Sequence, residues 1–446
     1  MSSSERTTFL DNQDREDDIT CCKGTTIVIL VLLFCGVLAL LISAGIYFYD
    51  IRQQSGVLDT SFLTDSPVTT TPTISTITTS RPSSCEKRIV GYFNESEPGD
   101  ITKIQLSKLT HALFQNVELS WEGVLKFRSA RSRDIFLSLK NEANHLNSDL
   151  KVMIAIGGDG NSHNFASVTG ESRKKALAAH LCFLTNEHKI DGVDFYWKDA
   201  TKSNRWNYIN FVRELRQKLR TVSSKNYLIS LTIPPPTSSY SNTAYDLEES
   251  LKDVDFFNVW SMDYQGPWEN EWGTPAGPIA QLYSTTEGRK QFSVDSTMKY
   301  YVCKTMQPSK FNIAIPFFAR LWRNVEGSLE HGKEAIRNVQ LINNKAVGNA
   351  YMSRWTVEDQ KLNLTSATWD KETRSSYVFD VERKTYLTFE DEKSIAAKVD
   401  YVNSMNLGGV WIYKVEMDDD QNSLLKMLAT KELCSIKSGS YVRYNC

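Results

Sequence analysis

The sequence is poor in the features that mark nucleic-acid, nucleotide and metal sites. Its 446 residues carry a formal net charge of −2, so no basic excess favours a nucleic acid as partner. The glycine-rich stretch at residues 157–160 lacks the following lysine of a phosphate-binding loop. No metal-ligand spacing is present among the six histidines, which are His111, His145, His163, His180, His188 and His331. We therefore predict no metal, no cofactor and no nucleic-acid partner.

Charged residues are also absent from one long apolar run, at residues 25–49. At about 1.5 Å per residue the run is long enough to cross a hydrocarbon core of about 30 Å. A cleaved signal peptide is the alternative. Its apolar region would span about 7–15 residues and end in a small-residue cleavage site, and neither property is found here. We predict an uncleaved transmembrane helix.

The basic residues around this run predict its orientation. Arg6, Arg15 and Lys23 precede it, whereas only Arg52 follows closely. The positive-inside rule then places the N-terminus in the cytoplasm and everything after residue 50 in the lumen or outside the cell, as in a single-pass type II membrane protein. Two acceptor sequons, at Asn94 and Asn363, agree with this topology and are candidate glycosylation sites.

The eight cysteines fall into two groups. Cys21 and Cys22 lie just inside the predicted membrane and are either palmitoylated or unmodified thiols, and Cys35 lies within the span. Five lie beyond it: Cys85, Cys182, Cys303, Cys434 and Cys446. Disulfides are expected in this compartment, and an odd number leaves one thiol free or paired between chains. Cys182, on a helical pattern of leucines, is a candidate buried thiol.

Composition divides the chain into five segments. Residues 1–24 are polar and predict a cytoplasmic tail, followed by the helix at 25–49. Residues 50–84 are rich in Ser, Thr and Pro, which is typical of an O-glycosylated stalk or an unmodified linker. A folded domain is expected at 85–434, with a C-terminal tail at 435–446. No internal repeat is present.

Eight short apolar runs within the folded domain alternate with amphipathic helical patterns. The runs are residues 88–93, 109–115, 151–156, 190–197, 227–233, 255–262, 311–317 and 408–413. Such runs suit strands buried on both faces, and their alternation with helices predicts an α/β fold, a (β/α)8 TIM barrel. Strand-like pieces between the last two runs predict a small α+β insertion at about residues 322–392.

The fourth run carries a recognisable motif. Residues 191–198 read DGVDFYWK and resemble the DGxDxDxE signature of glycoside hydrolase family 18, the chitinases and their relatives. Four other stretches are similar to family motifs in the same order, at residues 155–158, 255–268, 316–320 and 407–410. The chain resembles in particular the single-span, chitinase-like membrane proteins of nematodes.

The resemblance implies a substrate-assisted mechanism. In this mechanism a protonated Glu donates its proton to the leaving oxygen of the glycan, and an Asp two residues earlier orients the acetamido group of the sugar. Of these motif positions the chain keeps Asp191 and Asp194, but it has Tyr196 in place of the last Asp and Lys198 in place of the Glu. The ordinary pKa of lysine is about 10.4, against about 4.3 for Glu. We therefore predict that the protein is not an enzyme. A structural alternative for this strand is an Asp194–Lys198 ion pair.

The resemblance also implies a sugar groove. Candidate ligand-binding residues are Tyr92, Asp194, Asp263, Trp268, Arg320 and Tyr413, although each aromatic could instead pack in the core. Asp159, Asn116 and Met262 replace aromatic residues that the family often has there. The leading prediction is an inactive membrane protein that binds chitin, a related N-acetylglucosamine glycan, or a protein partner. Alternatives are an active hydrolase of chitin or an altered glycan, and a structural or adhesive ectodomain.

Overall fold

The computed structural model describes residues 78–79, 87–95, 101–146, 149–170, 172–198, 200–222, 225–237, 244–360, 362–431, 433, 442–444 and 446. The chain divides into a unit from Met1 to Thr73 and a second from Ile74 to Cys446, and all described residues belong to the second. The predicted transmembrane helix lies outside the described residues. Within the described part of the chain, no helix combines the length and the apolar character needed to cross a membrane.

Eight parallel strands of the described chain close into a barrel. They are β1 (Arg88–Phe93), β2 (His111–Leu119), β3 (Lys151–Gly157), β4 (Gly192–Tyr196), β5 (Leu228–Ile233), β6 (Phe256–Val259), β7 (Phe311–Pro316) and β8 (Gly409–Tyr413). They pair in the order β1-β8-β7-β6-β5-β4-β3-β2, and β1 also pairs with β2, which closes the ring. A short strand, Leu125–Phe127, pairs antiparallel with the end of β2. The predicted (β/α)8 barrel is confirmed.

Alternation along β4 explains how one strand serves both the core and the barrel interior. Phe195 is fully buried against Phe165 and Phe211, with ring centroids 6.3 and 5.3 Å away. Because successive side chains of a strand point to opposite faces, Asp194 and Tyr196 on either side of Phe195 face the barrel interior. β4 therefore packs against the outer helices through Phe195 and places the polar groups of Asp194 and Tyr196 inside the barrel.

The helices bury the apolar stripes that the sequence predicts. They are Lys103–Leu106, Ala130–Asn144, Phe165–Val168, Lys174–Glu187, Arg205–Val222, Leu247–Ser250, Val294–Thr305, Arg354–Asp359, Glu392–Ser404 and Ser423–Thr430. In Arg205–Val222, Tyr208, Val212, Leu215 and Leu219 are buried at helical spacing. Ser129, Ser293 and Asp391 cap their helices by accepting backbone hydrogen bonds.

A five-stranded antiparallel sheet lies between β7 and β8 in the chain. Its strands, in spatial order, are Gly348–Met352, Ala319–Trp322, Thr385–Phe389, Ser375–Asp380 and Thr368–Asp370. A hairpin of Val325–Ser328 and Arg337–Val339 and the helix Arg354–Asp359 complete the insertion. Its first strand begins at Ala319, soon after β7 ends at Pro316, so the insertion stands at the C-terminal end of the barrel.

A disulfide joins Cys446 to one of the helices of the barrel. Cys303, in the helix Val294–Thr305, is bonded to Cys446 across a sequence separation of 143 residues. Cys182 is a free, buried thiol, as the leucine pattern of its helix predicts. The remaining cysteines of the predicted ectodomain, Cys85 and Cys434, lie outside the described residues.

Candidate functional site

A buried carboxyl group lies at the centre of the barrel. Asp194 has no exposed surface. Its Oδ2 accepts hydrogen bonds from Tyr92 Oη at 2.7 Å and Thr232 Oγ1 at 3.0 Å, and its Oδ1 accepts from Ser230 Oγ at 2.5 Å. Asn258 Nδ2 donates to Oδ1 at 3.3 Å. Parallel strands β1, β5 and β6 thus bring four neutral donors to one carboxyl group.

Burial controls the ionisation of this centre. It raises the pKa of Asp194, and the hydrogen bonds from Ser230, Tyr92, Thr232 and Asn258 lower that pKa by a smaller amount. Burial also raises the pKa of Tyr92, and the neighbouring Asp194 charge raises it further. Tyr92 is therefore a neutral phenol that donates to the carboxyl group. With 3% of its surface exposed, it supports Asp194 from within the barrel.

The end of β4 carries the two residues that depart from the family motif. Tyr196 is buried, whereas the Lys198 side chain is 44% exposed. The Lys198 ammonium pairs with the carboxylate of Asp159, which follows β3. The alternative interpretation, an Asp194–Lys198 ion pair, is wrong: Asp194 accepts from the four neutral donors, and the chain turns after Tyr196 so that Lys198 reaches towards solvent.

A glycine turn places Asp159 opposite Lys198. Gly157 ends β3 with φ of +102°, and a Cβ there would lie 2.2 Å from the Tyr196 carbonyl oxygen. Only glycine tolerates both the left-handed backbone and this close approach. The next residue, Gly158, donates its backbone N–H to the same carbonyl at 2.8 Å. The ends of β3 and β4 are thereby held together, with Asp159 and Lys198 at the rim.

Aromatic rings form a continuous cluster at the C-terminal ends of β4, β6 and β8. Tyr196 stacks on Trp260 with centroids 5.2 Å apart and an interplanar angle of 24°. Trp260 in turn lies 5.0 Å from Tyr413 and 5.4 Å from Trp411. Tyr413 is half-buried, so one part of this cluster faces the open end of the barrel.

A second cluster surrounds Asp263, which follows β6. Asp263 Oδ1 lies 2.7 Å from Arg320 Nη2, and Oδ2 accepts hydrogen bonds from Trp260 Nε1 at 2.9 Å and Tyr351 Oη at 3.3 Å. The Arg320 guanidinium has no exposed surface and lies over the Trp268 ring, 4.4 Å from its centroid. Trp268 and Tyr351 are left with exposed ring surface beside a fixed carboxylate.

The predicted ligand-binding residues therefore divide into two sets. Tyr92, Asp194 and Arg320 are buried and position other groups, whereas Asp263, Trp268 and Tyr413 reach the open end. Asp191 stands apart from both sets. It lies at the opposite end of β4, where its Oδ2 accepts from Val152 N at 2.7 Å and its Oδ1 lies 3.0 Å from Lys225 Nζ.

Sequence reasoning missed Trp260 and Tyr351. Trp260 continues the period-2 face of Phe256 and Asn258 beyond β6, and that alternation could have identified it. Tyr351 comes from the insertion, and nothing in its local sequence indicates that it reaches Asp263.

The two sequon asparagines have different surroundings. Asn363 is exposed, and its side-chain oxygen accepts from the Thr365 backbone N–H at 3.0 Å. Asn94 follows β1 and is only 9% exposed. Asn363 is thus the more accessible of the two candidate acceptors.

Comparison with known proteins places this geometry among related folds. The family model "Glycosyl hydrolases family 18" matches residues 88–418. Human chitinase-3-like protein 2 is 22% identical over 74% of this chain and 87% of its own length. Chitinase A1 of Niallia circulans is 21% identical over 64% of this chain, which spans only 43% of that protein. A class V chitinase of Nicotiana tobaccum, solved as a mutant in complex with NAG4, has a TM-score of 0.66 at 18% identity, covering 77% of this chain and 98% of that chain.

These matches contradict the prediction that the protein is not an enzyme. The matching family is one of hydrolases, and it includes relatives named as chitinases. The prediction depended on two residues, Tyr196 and Lys198, whereas the family match extends over the whole barrel. The prediction is therefore wrong.

Proposed function

This chain belongs to the glycosyl hydrolases family 18, and we propose on that basis that its barrel binds an oligosaccharide of N-acetylglucosamine, such as a fragment of chitin. The ligand would lie across the C-terminal ends of the strands, where barrels of this class place their sites. The related chitinase of Nicotiana tobaccum, solved with NAG4, supports this class of ligand.

The observation that carries the proposal is the surface formed by Trp268, Tyr351 and Tyr413 around Asp263. Trp268 and Tyr351 have ring centroids 6.4 Å apart, and Phe318 connects Tyr351 to Tyr413 at 4.8 and 6.3 Å. Ligand sites combine such apolar and aromatic surface with a few fixed polar groups. Here the polar group is the Asp263 carboxylate, fixed by Arg320 and Trp260.

Retention on chitin beads tests this function. The wild-type chain should be retained, and both Trp268→Ala and Tyr413→Ala should release it. Phe183→Ala is the matched control, because Phe183 is 62% exposed near the end of the helix Lys174–Glu187, which precedes the start of β4 and so lies at the opposite end of the barrel. Retention that ignores the two groove variants would contradict binding in the groove and favour the structural or adhesive alternative.

Hydrolysis of the bound glycan is the second candidate function, and the family match favours it. Residue 198 is lysine, so a proton donor would have to come from elsewhere at this end of the barrel. Asp159, which follows β3, and Asp263, which follows β6, are two carboxyl groups with exposed surface at this rim. A fluorescent aglycone released from a chito-oligosaccharide measures this activity.

The variants Asp159→Asn and Asp263→Asn test these two groups, provided that each variant is shown to be folded by its urea unfolding midpoint. General acid catalysis contributes about 10²–10⁴-fold, so loss of the responsible carboxyl group should reduce release by that factor. Release that is unchanged in both variants and in Lys198→Ala would exclude these three residues as the proton donor. Absence of release from the wild-type chain at every pH would contradict this second function and leave glycan binding unaffected.

We also propose that residues 25–49 anchor the barrel as a type II membrane protein, with the barrel in the lumen or outside the cell. The uncharged run and the basic residues before it support the anchor and its orientation. Digestion with an N-glycosidase should lower the apparent mass of the wild-type chain expressed in eukaryotic cells, and Asn363→Gln should reduce that shift. A chain that carries no N-glycan and is extracted by salt alone would contradict this topology.

A further inference from the structure

A cavity of about 300 Å³ adjoins the aromatic surface, and its wall includes Asp263 and Trp268. Other parts of the wall are formed by Gln265, Trp272 and Arg289. Trp272 is 68% exposed at its rim. The cavity is therefore continuous with the proposed groove but is built largely from residues after β6 and before the helix Val294–Thr305.

The side-chain amide of Gln265 lies in the wall of this cavity. It is 2% exposed, and among the described residues neither its Nε2 nor its Oε1 has a hydrogen-bond partner. Its backbone oxygen, in contrast, accepts from Arg320 Nη1. A buried amide without hydrogen-bond partners destabilises the folded chain. A ligand that supplies those partners would offset this effect.

Arg289 adds a positive charge that no described carboxylate neutralises. Its guanidinium lies over the Phe292 ring, 4.8 Å from the centroid, and its Nε is buried without a hydrogen-bond partner in the described chain. Burial lowers the pKa of Arg289, but an arginine side chain stays protonated in proteins. The Asp263 carboxylate in the same wall is already paired with Arg320.

We propose that this cavity binds an anionic substituent, a carboxylate or a sulfate, on a sugar of the bound glycan. Arg289 would supply the counter-charge, because a guanidinium matches the two oxygens of either group. Gln265 would supply a neutral donor from its amide. The inference rests on the proposed glycan-binding function and narrows its ligand from neutral chitin to an acidic N-acetylglucosamine glycan.

One carboxylate in the cavity wall should weaken the binding of such an anionic ligand. Glu271 is exposed in the same wall and forms no ion pair within the described chain. It would repel an approaching anion, so its removal should strengthen acidic binding. Arg289 and Glu271 therefore give two substitutions with opposite expected effects in one cavity.

Calorimetric titration of the purified full chain with three probes tests the inference. The probes are neutral chitohexaose, a hyaluronan hexasaccharide that carries carboxylates, and a 6-O-sulfated chitohexaose. We expect one or both acidic probes to bind about tenfold more tightly than chitohexaose, the factor that corresponds to ~1.4 kcal/mol. The better acidic probe identifies carboxylate or sulfate as the group. Arg289→Gln should abolish the preference, Arg289→Lys should keep part of it, and Glu271→Gln should increase it.

The outcomes separate this inference from the function on which it rests. Equal affinity for all three probes would overturn the anionic preference while supporting glycan binding. A preference that survives in Arg289→Gln would overturn the role of the cavity. Binding of no probe would overturn both the inference and the proposed function. Binding of acidic probes alone, with loss in Arg289→Gln, would support the inference and replace neutral chitin as the ligand.

Discussion

The ammonium of Lys198 pairs with the carboxylate of Asp159 across the ends of β4 and β3. Both side chains are well exposed, 44% and 68% respectively, so water and salt screen the pair. Lys198, which the motif resemblance predicts at the catalytic-acid position, is thus held at the rim of the barrel, separate from the buried Asp194 network.

The Lys198–Asp159 pair should contribute little to stability. We expect a double-mutant cycle with Lys198→Ala and Asp159→Asn to give a coupling free energy of about 0–1 kcal/mol in urea unfolding. The exposed Lys345–Glu269 pair is the matched control and should give a similar value. A coupling of several kcal/mol for the Lys198 pair alone, unchanged in high salt, would refute this account.

The buried carboxyl group of Asp194 should make stability depend on pH. Burial raises its folded-state pKa above the ordinary value of about 3.9. The folded state then holds the proton more tightly, so this contribution is fully present below the unfolded pKa and is lost as pH rises through the folded pKa. Relative to Asp194→Asn, the wild-type free energy of unfolding should fall as pH increases above about 4.

Urea unfolding at a series of pH values measures this difference. Ser230→Ala is the control, because it removes one donor at 2.5 Å and keeps the titrating group. It should preserve the direction of the pH dependence and lower stability by about 1 kcal/mol. A wild-type chain that gains stability over Asp194→Asn with rising pH would show that the hydrogen bonds outweigh burial.

The Asp263–Arg320 pair should behave as a buried ion pair. Arg320 has no exposed side-chain surface, and its Nη2 lies 2.7 Å from Oδ1 of Asp263. Asp263→Asn leaves the guanidinium without a counter-charge and should cost about 3–5 kcal/mol of stability. The double variant Asp263→Asn with Arg320→Met should recover much of this loss, and a double variant as unstable as the sum of both single variants would argue against direct coupling.

The Cys303–Cys446 disulfide should stabilise the barrel through the long segment that it closes. The sequence separation is 143 residues, and removal of a native disulfide typically costs about 2–5 kcal/mol. Cys303→Ser with Cys446→Ser should lower the free energy of unfolding by that amount, and a reducing agent should lower the wild-type value by at least as much. Cys182→Ser is the control, since this free buried thiol forms no bridge; equal effects of reduction on the wild type and the double serine variant would contradict the prediction.

The barrel was predictable because the local spacing of apolar residues indicates its strands and helices. The continuous apolar run of β4 and the helical spacing of Tyr208, Val212 and Leu215 are both visible in the sequence, and both elements form as expected. The predicted and observed ends of β4 differ by one or two residues, because strand pairing and not composition decides where the strand ends.

The site was harder to predict because its contacts are long-range. Asp194 and Lys198 share a period-2 face in the sequence, which suggested an ion pair, but the strand ends at Tyr196 and the alternation ends with it. Lys198 then finds Asp159, 39 residues away. Tyr351 likewise reaches Asp263 from 88 residues away through the insertion, a contact that no local pattern indicates.

Calorimetric titration of the chain with chitohexaose tests the central claim most directly, namely that the aromatic surface around Asp263 binds an N-acetylglucosamine glycan. We predict saturable binding to the wild-type chain with one site, weakened at least about tenfold, or ~1.4 kcal/mol, in Trp268→Ala. The wild-type affinity should be found in Phe183→Ala, which changes an exposed aromatic residue at the opposite end of the barrel. No heat of binding to the wild type, or equal affinity in Trp268→Ala and Phe183→Ala, would contradict the claim.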